Sequence, residues 1–108
     1  MVPMADVVMV MTTTDSAAHA EALARMLVEQ RLAACVQVLA PMRSTYRWQG
    51  GVEQADEQLL LIKTTQERVD GVSAAISEHH SYELPEITVA ELRGSDAYLA
   101  WVRASVAD

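Results

Sequence analysis

The chain has 108 residues, 51% hydrophobic and 21% charged, a composition that fits one globular domain and excludes a disordered chain. A net charge of −7 leaves eight Lys and Arg residues scattered from Arg25 to Arg103, which excludes the clustered basic surface that nucleic acid requires. Cys35 is the only cysteine, so neither an internal disulfide nor a CxxC motif can form.

The N-terminal run Val7 to Met11 is apolar but far shorter than the roughly 20 residues a membrane helix needs. The stretch MVPMADVVMVM has no basic leader, so no secretory signal is expected and the cytoplasm is the expected location. Residues 5–12 are apolar without alternation, which predicts a strand covered on both faces. Residues 12–15 offer capping oxygens, and Ala20, Leu23, Ala24, Leu27 and Val28 then fall on one stripe of a helix over 16–30.

Residues 33–48 read as one long strand in which Pro41 forces a bulge, a bend or an edge position. Gln49-Gly50-Gly51 predicts a hairpin turn, and residues 52–64 return as the partner strand, polar first and apolar from Leu59 to Ile62. The polar half of this hairpin is expected to project as a two-stranded arm, which is marginal alone and needs support. Thr64 and Glu67 match a capping box at the start of a second helix that ends near His79. Residues 86–93 predict a fourth strand, and Ser95 or Asp96 caps a last helix bearing Leu99, Trp101, Val102 and Val106.

This order, β-α-β-β-α-β plus a helix, predicts an α+β fold of the ferredoxin-like, split βαβ type with an antiparallel sheet and helices on one face. The strands lack the alternation that a solvated second face demands, and the short last helix is too small to cover that face. Other copies of the same chain are the economical cover.

RLAACV (31–36), STYRWQGGVE (44–53), EQLLLIKTT (57–65), HHSYELPEI (79–87) and YLAW (98–101) stand in an order that resembles the CutA divalent-cation tolerance family over nearly the whole chain. The resemblance implies a ferredoxin-like homotrimer of PII-like architecture, copper and other divalent metals as ligands, and a tolerance role without a settled catalytic activity. It also implies that Tyr46, Trp48, Lys63, Tyr82 and Glu83 gather near a cleft between subunits. Ser81 stands where the family commonly has Pro, and Gln37 where it commonly has Asn.

The metal-ligand candidates are His79, His80, Glu83, Glu86 and Cys35, because imidazole with carboxylate suits Cu(II) or Zn(II) and thiolate suits softer ions. Each has a structural alternative. Adjacent helical residues diverge by about 100°, so His79 and His80 cannot share one ion while both are helical, and His80 can instead face the helix dipole. Cys35 reads first as a small core residue, and Met9 and Met11, which share a strand face and could offer Cu(I) soft thioethers, read first as gap-filling core, while His19 stands alone and reads as a surface residue. A cleft with Lys63, carboxylates and aromatic walls would suit a small anionic ligand or a partner protein, or the same aromatics would serve as interface packing. No GxSxG, Walker, HExxH or dinucleotide motif is present, which argues for a binding protein rather than an enzyme.

Overall fold

The computed structural model describes residues 6–108. The N-terminal MVPMA, including the first residue of the expected strand 5–12, lies outside the described residues. The elements are β1 (Val7–Thr14), α1 (Ala17–Glu29), β2 (Cys35–Val38), β3 (Met42–Trp48), β4 (Gly51–Thr65), a 3-10 turn (Gln66–Arg68), α2 (Val69–His79), β5 (Thr88–Glu91) and α3 (Asp96–Val106). All strand pairs are antiparallel, in the order β2-β4-β1-β5, with β3 paired to the first half of β4. This is the α+β arrangement expected from the element order.

β4 is long because it serves two purposes. Its second half pairs with β1 from Gln58 to Thr65 and with β2 from Leu60 to Lys63, and its first half pairs only with β3, forming the arm. The expected single strand 33–48 is two strands. Val38 faces Leu60 whereas Met42 faces Glu57, so residues 39–41 span what only Gln58 and Leu59 span on β4. That is a bulge of one extra residue, placed where Pro41 has no N–H to give to the ladder. The arm ends in a two-residue loop, Gln49-Gly50, between the paired Trp48 and Gly51. Both loop residues have positive φ (49° and 83°), the requirement of a type I′ turn.

α1 and α2 cover one face of the sheet, where Leu23, Leu27, Val72 and Ile76 pack on Val10, Leu60 and Ile62. Partners directly opposite in the ladder share a face, so Met9, Met11, Leu59, Leu61 and Lys63 lie on the other side. These five are only half-buried. Tyr98 of α3 lies 5.5 Å from the Lys63 ammonium, so α3 sits over one end of that second face. Its Val102 and Val106 are buried. Arg68 fastens the end of α3 by donating to the Val106 carbonyl and the Asp108 carboxylate.

Two local expectations change, and a third resolves between its two alternatives. The cap of α1 is Ser16, whose Oγ accepts from the His19 amide at 3.0 Å, rather than residues 12–15. The Thr64–Glu67 capping box does not form, because the Thr64 hydroxyl donates instead to the Leu32 carbonyl at 2.7 Å. A buried hydroxyl facing an unpaired carbonyl gains more there than at a solvated helix start. Ser95, not Asp96, caps α3 by accepting from the Tyr98 amide.

Candidate functional site

α2 stops at His79, and His80 turns to an extended backbone with ψ 143°. The two histidines therefore differ in backbone, His79 closing the helix and His80 lying beyond it. His80 reaches the end of β1: its Nδ1 accepts from the Tyr82 amide at 3.0 Å, which puts the ring proton on Nε2, and Nε2 donates to the Thr13 carbonyl. Both ring nitrogens are thereby engaged. Rather than facing the end of its own helix, His80 ties the loop that follows to β1.

The end of α2 is held by another residue. His19 of α1 bonds through Nε2 to the His79 carbonyl, and its ring lies 5.6 Å from that of His80. His19 is half-buried rather than a free surface residue. Nothing in the local sequence of α1 signals this contact, which the helix pairing alone creates. The His79 side chain is exposed.

Tyr82 continues the chain of contacts. Its ring packs 4.6 Å from His80, and its hydroxyl donates to Glu57 Oε2 at 2.9 Å. Burial first, and then the hydrogen bond to Glu57, push the phenol well above its ordinary range. Glu57 is 7% exposed, although it belongs to the polar half of β4. Sequence reasoning missed it. The signal was its position at the root of the arm, where a residue on the projecting hairpin first meets the body.

Between the arm and the loop 80–86 lies a groove of about 560 Å³, lined by Thr13, Ser44, Tyr46, Trp48, Glu57, Ser81, Tyr82, Glu83, Leu84 and Glu86. Its size suits a small molecule. Four of the five expected cleft residues, Tyr46, Trp48, Tyr82 and Glu83, meet in it within a single chain. Lys63 does not line the groove and lies under Tyr98 instead.

Of the metal-ligand candidates, Glu83 and Glu86 line the groove, whereas His79 and His80 do not. Cys35 pairs with Lys63 on β4 and is half-buried on the second sheet face, remote in the ladder from the histidines. Among the described residues, no group of three or more His, Cys, Asp or Glu side chains is gathered to hold a metal ion. No helix among them is long and apolar enough to cross a membrane.

The sequence pattern of the CutA1 divalent ion tolerance proteins matches residues 8–105. The divalent-cation tolerance protein CutA of Pectobacterium atrosepticum is 38% identical over 105 residues, covering 96% of each chain. That of Thermus thermophilus is 40% identical over 95 residues, 87% of this chain and 92% of the relative. The crystal structure of CutA from Xylella fastidiosa superposes with a TM-score of 0.92 at 38% identity, over 95% of this chain and 100% of that one. A pattern spanning almost every element, with the groove and the second sheet face both inside it, leaves one assignment: the chain belongs to the CutA1 divalent ion tolerance protein family.

Proposed function

We propose that the protein acts as a homotrimer that binds a divalent cation, copper(II) foremost, and contributes to metal-ion tolerance by binding rather than by catalysis. The family match over residues 8–105 carries this reading. The exposed His79 imidazole, followed by the exposed carboxylates of Glu83 and Glu86, supports it, since this donor set suits Cu(II) or Zn(II). His80 ranks behind His79, because a metal there must displace the Tyr82 amide or the Thr13 carbonyl. Cys35 ranks last. Since no three such donors meet within the described residues of one chain, water or a second copy completes the coordination.

Copper(II) titration of the wild type and of His79→Ala tests the assignment. About tenfold weaker binding in the variant is expected. Equal binding overturns the ligand choice, and no binding in the wild type overturns the metal reading.

The trimer is supported by the sheet face that α3 leaves open. Met9, Met11, Leu59 and Leu61 are half-buried there, and covering such surface gains about 25 cal/mol per Å². Light scattering is expected to report three times the chain mass of 11.8 kDa, and a monomer mass overturns the trimer.

The groove favours a second reading, a PII-like sensor or scaffold that takes a small ligand or a partner protein against Tyr46, Trp48, Tyr82 and Glu83. It predicts a ligand that raises the melting temperature of the wild type and not of Trp48→Ala.

A further inference from the structure

The ladder sorts the charges of the arm onto two faces. Met42, Ser44, Tyr46 and Trp48 stand opposite Glu57, Ala55, Glu53 and Gly51, so these eight share one side. Arg43, Thr45 and Arg47 stand opposite Asp56, Gln54 and Val52 on the other. The back-face contacts agree with this: Arg43 pairs with Asp56 at 3.3 Å, and Gln54 donates to Thr45 at 3.2 Å. Both arginines of the arm are thus turned away from the groove.

What remains in the groove is acidic and aromatic. Glu57, Glu83 and Glu86 are its ionisable carboxylates, and among the described residues no Lys, Arg or His lines it. Glu57 is nine-tenths buried and receives its hydrogen bond from a neutral phenol, not from a cation. A buried carboxylate is costly to hold unless an opposite charge or several donors face it. Around it stand three π-faces, Tyr46, Trp48 and Tyr82, with Leu84 at the rim, 71% exposed.

We propose that this groove takes a small organic cation, an ammonium group carried on an apolar or aromatic body. The inference rests on the groove being a ligand site and names the charge and class of what enters it. Carboxylates attract the ammonium, aromatic faces hold it by cation–π contact, and Leu84 with the indole covers the apolar body. An anion would meet three like charges on a chain already at −7. The aromatic walls favour a weakly hydrated organic cation over a metal ion, which gives up its hydration shell far less readily.

Calorimetric titration of the full chain in EDTA, which removes divalent metal, tests this with three probes of similar shape: benzyltrimethylammonium, benzyl alcohol and benzenesulfonate. Saturable binding of the ammonium alone, weakened about tenfold in Glu83→Gln/Glu86→Gln and unchanged in Arg47→Ala, is expected. If benzyl alcohol or benzenesulfonate binds as tightly, the charge selection is overturned while the groove remains a ligand site. If none binds up to about 10 mM, the inference and the ligand-site reading fail together. Ammonium binding that is indifferent to the double variant also overturns the proposal.

Discussion

The imidazole of His19, on α1, caps the last carbonyl of α2 at His79, across a sequence separation of 60 residues. The end of a helix leaves carbonyls without intrahelical partners, and here one is satisfied by a neighbouring helix instead of a local turn. Replacing His19 with Ala is expected to cost about 1 kcal/mol, read as a lower urea midpoint at unchanged slope. Hydrogen exchange should quicken in the last turn of α2 while its first turn keeps its protection. Uniform exchange across α2 would count against a terminal cap.

Tyr82 and Glu57 make a second long-range pair, and its removal has a sign in pH as well as in stability. Tyr82→Phe leaves a nearly buried carboxylate without its donor, an expected loss of about 2 kcal/mol. The phenol is raised above its unfolded value, so the folded state holds this proton more tightly than the unfolded chain. The stabilisation is therefore complete below about pH 10 and declines as pH rises beyond it. Absorbance at 295 nm should show one of the three tyrosines ionising late, a step absent from the Phe variant. Ionisation of all three together in the wild type would contradict the pairing.

The ion pair of Asp6 with Arg103 acts in the opposite direction. Two contacts, at 2.6 and 2.9 Å, hold the Asp6 carboxyl below its ordinary range. Its contribution is present above the unfolded carboxylate value and is lost as pH falls through the lower folded one. Both side chains are about half exposed, so the effect is small and weakens with salt. Asp6→Asn should be less stable than the wild type at pH 7, with the gap closing in acid. A gap that widens in acid would reverse the assignment.

At the tip of the arm, Gln49 adopts φ 49° before Gly50 at 83°. Asn occupies this left-handed region more readily than Gln, so Gln49→Asn is expected to stabilise by about 0.5 kcal/mol. Gly50→Val should destabilise by at least about 1 kcal/mol, since a β-branched side chain resists that φ. Thermal unfolding of the two variants measures both, and a Val variant as stable as the wild type would argue against the I′ turn.

The strands and helices were legible because apolar periodicity and glycine punctuation act locally. The stripe from Ala20 to Leu27 and the turn at Gly50 are read from neighbours alone. What escaped depends on parity and distance. Pro41 signalled a disturbance, but only the pairing of Val38 with Leu60 and Met42 with Glu57 reveals one extra residue. Thr64 met the pattern of a capping residue, yet a carbonyl half a fold away claimed its hydroxyl. Lys63 shares a motif with the groove residues in sequence, but its register opposite Met9 turns it beneath Tyr98. Glu57 shows no sign of burial until the arm meets the sheet.

The extra residue at 39–41 also decides which electrical sign the groove carries. Were the bulge ironed out, with every residue kept and the register of Val38 with Leu60 carried into β3, the ladder would bring Arg43 opposite Ala55 and Arg47 opposite Gly51, closing the hairpin with a three-residue loop. Even and odd positions of β3 would trade sides, and Tyr46 and Trp48 would look outward. Two guanidinium groups would then stand on the face that carries Glu57, Arg43 nearest to it. The one residue set aside in that bulge thus separates a groove that attracts cations from one that has filled its own charge.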